Sequence, residues 1–320
     1  MKMAWITKDL KVNGANRITL EVASGMQRLG WDSRLFIDRE AECVESWLPT
    51  DVPIEPVEQL FDFSPDVAVS TYFTTFPILH SLRDTLLLVQ YIYTNYDRDG
   101  MTSDPRLPLI NDAMRDESSQ KVVVSFYLQH WLRLKGVGSH VVQPGLSPEA
   151  FFPNHGRDRL AFRVLIEGDL RPEKRVSDAY ALVPHDISVW GLGQVDHRNR
   201  AQRMWILPPQ HLLQEIYSSC DVMVKLVRKE GHPLTMLEAM ACGVVPLCSD
   251  DGGHLDYCVD GFNCLVVQDE SKVPELIKTL RDDEALRLRL SHNAIATART
   301  FSWAQTVNRF ASLIGELSRR

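Results

Sequence analysis

Residues 229–267, KEGHPLTMLEAMACGVVPLCSDDGGHLDYCVDGFNCLVV, hold most of the information about the fold. Pro233 suits the first helical position, because the N–H that it lacks would have no partner there, and the apolar residues after it keep helical spacing. Two apolar runs, VVPLCS and NCLVV, then predict buried strands. Alternating helices and buried strands are typical of an α/β domain with a parallel sheet.

The same alternation extends over most of the chain, which at 320 residues is longer than one hydrophobic core usually organises. We expect two doubly wound domains, residues 1–150 and 151–302, facing a central cleft. The proline- and glycine-rich segment from Pro144 to Arg159 predicts the linker between them. Residues 303–320 have apolar side chains at helical spacing and predict a C-terminal helix. Predicted strands are MAWIT, DSRLFI, DVAVS, TLLLVQYI and KVVVS in the first domain, and FRVLIEG, DISVWG, DVMVKL, VVPLCS and NCLVV in the second.

Charge and hydropathy exclude several classes of protein. A formal net charge of -7 argues against nucleic acid as a partner, because phosphate binding needs clustered Lys and Arg. The N-terminal apolar run is too short for a signal peptide, and no run of about 20 apolar residues occurs. We expect a cytoplasmic protein, and a surface helix could still contact a membrane.

The six cysteines do not form a recognisable metal motif. Neither a CxxC pair nor histidines at zinc-finger spacing accompany them, so the spacing predicts neither a zinc site nor any other metal site. Most of them lie in apolar segments, where we expect reduced, buried and inert thiols. They are Cys43, Cys220, Cys242, Cys248, Cys258 and Cys264.

The helix predicted after Pro233 offers an anion site. Its free N–H groups near Leu234 and Thr235, at the positive end of the helix dipole, suit a diphosphate. Glu238 lies roughly 7 Å further along the axis, a distance that suits an adjoining ribose. Glu230 precedes the turn and could bind sugar hydroxyls. Two solvated surface carboxylates are the alternative, but Glu238 is embedded among apolar residues and so requires a specific partner.

This segment resembles the family-4 retaining glycosyltransferases of the GT-B fold, whose hallmark is two glutamates separated by seven residues in an EG-x-P…EAMA-x-G pattern. The later GG…DG part of the family pattern is also present, with Asp256 in place of the usual Glu. The resemblance implies that Glu230 contacts the donor sugar and that Glu238 contacts the ribose. It further implies that the loop and helix start contact the diphosphate and sugar: Gly231, His232, Pro233, Leu234 and Thr235.

Upstream, IEGDLRPEKR resembles the family's GR-x-x-x-x-KG loop, in which Arg and Lys neutralise the leaving diphosphate. Lys174 matches the Lys, whereas Asp169 stands at the Arg position and Arg171 is the alternative cation. At the N-terminus, VNGANR resembles the glycine-rich loop of the family, and the resemblance implies that Gly14 approaches the donor phosphates and Asn13 the acceptor. Gly14 matches, and Asn13, which tolerates positive φ, replaces the second glycine. Tyr91 and Tyr93 are candidates for an acceptor site or, equally, ordinary buried aromatics.

The resemblance implies a metal-independent, cofactor-free transfer of a hexosyl group, with retention, from a nucleoside-diphosphate sugar to a glycan, lipid or small-molecule hydroxyl. A UDP-sugar is the commonest family donor. It also implies that the C-terminal helix crosses back to the first domain. Two alternatives stay open, a GT-B sugar-nucleotide epimerase and a non-catalytic sugar-nucleotide-binding partner protein.

Overall fold

The computed structural model describes residues 1–37, 50–82, 85–95, 105–154, 161–197 and 199–319. The chain divides into two compact units. Unit 1 contains Met1–Gly145 and Trp303–Arg320, and unit 2 contains Leu146–Ser302. Within the described residues, no helix is both long and apolar enough to cross a membrane.

The strands of the described residues carry the labels β1 to β13 in chain order. They are β1 (Lys2–Thr7), β2 (Asp32–Ile37), β3 (Ile54–Pro56), β4 (Val67–Ser70), β5 (Leu87–Ile92), β6 (Gln120–Val123), β7 (His140–Val141), β8 (Arg163–Gly168), β9 (Ser188–Gly193), β10 (Arg203–Ile206), β11 (Val222–Lys225), β12 (Val245–Ser249) and β13 (Leu265–Val267).

The α-helices are labelled in the same way. They are α1 (Gly14–Arg28), α2 (Leu60–Phe63), α3 (Phe76–Ser81), α4 (Leu107–Arg115), α5 (Phe126–Leu134), α6 (Val176–Leu182), α7 (Gln210–Ser218), α8 (Leu234–Ala241), α9 (Val273–Asp282), α10 (Glu284–Ala298) and α11 (Trp303–Leu317). Short 3-10 turns cover Val57–Gln59, Phe73–Thr75, Pro172–Lys174, Gly253–Asp256 and Glu270–Lys272.

Each unit contains one parallel sheet of the Rossmann type. In unit 1 the strand order is β3-β2-β1-β4-β5-β6-β7, and in unit 2 it is β10-β9-β8-β11-β12-β13. Every strand pair is parallel. The order reverses between β1 and β4 and again between β8 and β11, as in doubly wound α/β folds. The expected fold class is confirmed for both units.

All ten predicted strands are present, with bounds that differ by a few residues at their ends. Three strands were not predicted: β3, β7 and β10. Each lies at an edge of its sheet, and β7 has only two residues. Edge strands are short and partly exposed, so they lack the continuous apolar run that marks a buried strand.

The C-terminal helix α11 packs within unit 1, against α1 and the first sheet. Phe310 is fully buried, with its ring centroid 5.2 Å from that of Trp5 on β1 and 5.5 Å from that of Tyr91 on β5. Thr306 Oγ1 donates a hydrogen bond to the Gln143 carbonyl at 2.9 Å. The chain therefore returns to its first unit after completing the second, as the resemblance implied.

Gly25 allows α1 and α11 to approach closely, because a Cβ at this position would collide with the side chain of Val307. We expect Gly25→Ala to lower the free energy of unfolding by about 1 to 3 kcal/mol, the usual range for overpacking. Gly315→Ala is the matched control on α11, since its Cβ would meet only the end of Arg319 at 4.0 Å. The control should stabilise the helix slightly. Equal urea midpoints for Gly25→Ala and wild type would contradict this packing.

Candidate functional site

The reversal of strand order in unit 2 creates the position at which open α/β sheets usually bind ligands, beyond the carboxyl ends of the two central strands. Strand β8 ends with Glu167 and Gly168, and β11 ends with Lys225. Two ionisable side chains of opposite sign thus lie on neighbouring strands at this edge. The loops that follow β8 and β11 carry the residues singled out by the sequence.

Four charged residues meet here and are called the charge cluster: Glu167, Lys174, Lys225 and Glu230. Lys174 Nζ lies 2.7 Å from Glu230 Oε1. Lys225 Nζ contacts the Glu167 carboxylate and lies 3.4 Å from Glu230 Oε2. The hydroxyl of Thr235 donates to Glu167 Oε2 at 3.0 Å. Two cations and two anions therefore alternate, and their formal charges balance.

Ion pairing keeps Glu230 and Lys225 charged although both are largely buried. Burial would raise the pKa of Glu230, but Lys174 and Lys225 hold that pKa well below its ordinary value of 4.5. Burial would likewise lower the pKa of Lys225, whose side chain is 3% exposed, but Glu167 and Glu230 raise it. Both groups are charged at neutral pH.

Strained backbone flanks the charge cluster. Arg175 follows Lys174 with φ 53°, and Lys229 precedes Glu230 with φ 58°. Non-glycine residues in the left-handed region cost of order 1 kcal/mol and concentrate at functional sites. The family pattern has glycine where this chain has Arg175. Gly252 has φ 141° and packs closely against this segment, since a Cβ at its position would lie 3.5 Å from the backbone N of Glu230. The N–H of the next residue, Gly253, donates to the Glu230 carbonyl at 2.8 Å.

Helix α8 begins beside the cluster, at Leu234 rather than at Pro233. Pro233 has ψ 100°, outside the helical region, and therefore occupies the cap position. Proline has no side-chain oxygen, so it cannot cap the first amides of the helix, which belong to Leu234 and Thr235. The predicted helix is confirmed, with a start one residue later than expected. Gly231 lies buried in the turn that leads to it.

His232 is the least satisfied polar side chain near α8. It is 6% exposed, and neither ring nitrogen has a hydrogen-bond partner among the described residues. Its ring packs against Tyr257 and Phe301, with centroid distances of 5.1 and 6.0 Å. Burial, with the help of His254, lowers the pKa of His232 to about 3. The imidazole is therefore neutral and offers one donor and one acceptor.

Glu238 has the specific partner that its apolar surroundings require. It is buried in α8, and the hydroxyl of Tyr217 on α7 donates to its Oε2 at 3.1 Å. Burial and the nearby Glu238 carboxylate keep the pKa of Tyr217 well above its ordinary value, so the tyrosine stays a donor. The ribose contact of Glu238 stays a prediction.

Arg171 is engaged by Asp169, the residue at the family's Arg position. Its Nε and Nη2 donate to the two Asp169 oxygens at 2.9 and 2.7 Å, and the guanidinium is half exposed. The pair is internally neutral. Lys225 instead is the second cation beside Glu230. The sequence analysis did not single it out, because it lies inside the apolar run DVMVKL. A charged residue at the end of a buried strand was the available clue.

Unit 1 contains the remaining candidates. Asn13 has φ -160°, so the turn does not use its tolerance of positive φ. Its side chain instead caps α1 by accepting from the Asn16 N–H at 2.8 Å, and Gly14 is the first helical residue. Tyr91 is 1% exposed and donates to the Val142 carbonyl at 3.0 Å. The Tyr93 hydroxyl is 2.9 Å from Thr19 Oγ1. Both tyrosines are buried, as the stated alternative expects, and their contact with an acceptor stays a prediction.

Because the pKa of Glu230 is depressed in the folded chain, its ion pairs stabilise the protein above pH 4.5, and this contribution is lost as pH falls further. We expect Glu230→Gln to lower the free energy of unfolding at pH 7 by about 1.5 to 3 kcal/mol, the range for hydrogen bonds to charged groups. The loss should shrink progressively from pH 4.5 to pH 3, because the unfolded wild type then binds a proton at Glu230 that the folded chain, with its lower pKa, does not bind. Urea unfolding across this pH range measures it. Glu275→Gln, on an exposed carboxylate, is the control, and an equal response of the two variants would contradict the electrostatic role.

Comparison with known families and curated proteins shows that unit 2 is similar to glycosyltransferases. Residues 197–297 match the family described as Glycosyl transferases group 1. The D-inositol 3-phosphate glycosyltransferase of Corynebacterium efficiens is 31% identical over 111 residues, which is 34% of this chain and 26% of that protein. A Campylobacter jejuni N,N'-diacetylbacillosaminyl-diphospho-undecaprenol alpha-1,3-N-acetylgalactosaminyltransferase is 32% identical over 101 residues, 31% of this chain and 27% of that protein. The matches thus span about a quarter of each relative.

Solved structures match over nearly the whole chain. HepE of Anabaena, solved in complex with UDP and glucose, has a TM-score of 0.84 at 15% identity and covers 99% of this chain and 100% of its own. Sucrose-phosphate synthase of Thermosynechococcus elongatus has a TM-score of 0.81 at 16% identity, with 99% of both chains covered. At this identity the likeness establishes the fold. The chain therefore has the GT-B fold, and its residues 197–297 are similar to the group 1 glycosyltransferases.

Proposed function

We propose that this protein is a retaining glycosyltransferase that moves a hexosyl group from a nucleoside-diphosphate sugar to a hydroxyl acceptor. The observation that carries the proposal is the Lys174–Glu230 ion pair beside the uncapped start of α8. It combines a cation, a carboxylate and free amides at the ligand-binding edge of the sheet. Relatives named as glycosyltransferases and the UDP-bound structure of HepE support a UDP-sugar as donor.

Donor binding would exchange partners within the charge cluster. The diphosphate would accept hydrogen bonds from the amides of Leu234 and Thr235 and from Lys174 Nζ. Lys174 would then leave Glu230 Oε1, and the released oxygen could accept a hydrogen bond from a sugar hydroxyl. Glu238 would bind the ribose, and the neutral His232 would be available as a further donor or acceptor.

Catalysis would rest on stabilising the leaving group. Negative charge grows on the diphosphate as the glycosidic bond breaks, and Lys174, once released from Glu230, would stabilise it together with the helix amides. We propose that these groups act without a metal ion or other cofactor. Lys225 is too deeply buried to share this role directly, and we assign it the positioning of Glu230, which it contacts from the opposite side to Lys174.

The acceptor is a glycan, a lipid or a small molecule, and the buried tyrosines of unit 1 do not identify it. We propose a cytoplasmic enzyme that works alone or at a membrane surface. The non-catalytic alternative has one specific observation in its favour, the Asp169–Arg171 pair in place of a free Arg.

A donor screen followed by a transfer assay separates these functions. UDP-, GDP- and dTDP-sugars are each added to the chain, and the one that binds should raise the thermal unfolding midpoint. With that donor, release of the nucleoside diphosphate in the presence of acceptors supports the transferase. Donor binding without turnover against a broad acceptor panel would support the non-catalytic protein, and an epimerised donor formed without acceptor would support the epimerase.

We expect Lys174→Ala to lower turnover at saturating donor by roughly 10²- to 10³-fold, the loss typical of removing one donor to a developing negative charge. Its unfolding midpoint should change much less. Lys272→Ala, on an exposed lysine of the same unit, is the matched control and should leave turnover unchanged. A Lys174→Ala rate equal to that of wild type would remove Lys174 from the mechanism.

A further inference from the structure

The fold gathers three cysteines that are far from metal-motif spacing in the sequence. Cys248, Cys258 and Cys264, called the three-cysteine cluster, have Sγ atoms that all lie within 4.8 Å of one another. All three are buried free thiols. Cys248 lies on β12, Cys258 follows the turn Gly253–Asp256, and Cys264 directly precedes β13. The sequence predicted no metal site, because these positions become neighbours only when the sheet and the turn form.

The surroundings of the cluster are rich in sulfur. Met236 on α8 presents its Sδ 3.6 Å from Cys258 Sγ. Among the described residues, no His, Asp or Glu supplies a fourth ligand atom to the group of three thiols.

Ligand number and softness decide which metal suits such a site. Structural zinc is almost always bound by four protein ligands, most often thiolates and imidazoles. Thiolates and thioethers are soft ligands that suit copper(I) and thiolate-bound zinc. Zinc takes its protein ligands from Cys, His, Asp and Glu, so a methionine sulfur does not complete a zinc site. Three thiols with a neighbouring methionine sulfur therefore fit copper(I) better than zinc.

We propose that the three-cysteine cluster binds one copper(I) ion, with the Met236 thioether as an additional ligand. Each thiol that binds the ion loses its proton to solvent, so the affinity falls as pH is lowered. The bound ion would connect β12, the turn after it and the loop before β13. The same turn donates from Gly253 to the backbone of Glu230. Metal binding would thus stabilise the turn Gly253–Asp256, which contacts the charge cluster. Copper(I) binding does not depend on whether the chain transfers a sugar.

The test is anaerobic titration of the reduced full-length chain with copper(I) against a chromogenic copper(I) chelator. A Cys43→Ser background restricts the thiols to the described residues. We expect one ion per chain and a higher thermal unfolding midpoint when it is bound. Cys264→Ser should weaken binding by more than about tenfold, since even outer ligand partners contribute that much to metal affinity. Cys242→Ser, a buried thiol outside the cluster, is the control and should bind as the parent does.

X-ray absorption of the copper-loaded parent chain is a second test that needs no ligand variant to fold. Sulfur neighbours alone support the cluster as the site. Nitrogen or oxygen neighbours, or equal copper affinity of Cys264→Ser and Cys242→Ser, would overturn the proposal and leave the three thiols as packing residues.

Discussion

The ion pairs of Glu230 with Lys174 and Lys225 determine the organisation of the candidate site. Burying one carboxylate costs several kcal/mol unless cations and hydrogen bonds compensate, and here two lysines do so from either side. One lysine is fixed at the end of β11, whereas the other is on a turn after β8. A cation on a strand and a cation on a turn therefore contact the same carboxylate, one at each of its oxygens.

The charge cluster also shows how this chain accommodates its departures from the family pattern. Asp169 stands at the position of the family's Arg, and its carboxylate is paired with Arg171. The second cation beside Glu230 is instead Lys225, at the end of the neighbouring strand β11, which also contacts Glu167.

Most of the fold followed from hydrophobic patterning, because strands such as DVMVKL and VVPLCS are buried on both faces and read as continuous apolar runs. Edge strands β3, β7 and β10 carried no such signal. At the site, the spacing of Glu230 and Glu238 around a helix start was recognisable locally. The contact of Lys225 with Glu167 could not be recognised in the same way, because the two residues are 58 positions apart. The meeting of Cys248, Cys258 and Cys264 could not be recognised either. Both depend on how the strands and turns are arranged in the sheet.

A crystal structure of the chain with the best-binding UDP-sugar tests the central claim most directly. The account predicts diphosphate oxygens within hydrogen-bond distance of Lys174 Nζ and of the Leu234 or Thr235 amide, with the Lys174–Glu230 contact replaced by ligand contacts. A nucleotide bound elsewhere in unit 2, with that ion pair still intact at 2.7 Å, would contradict it.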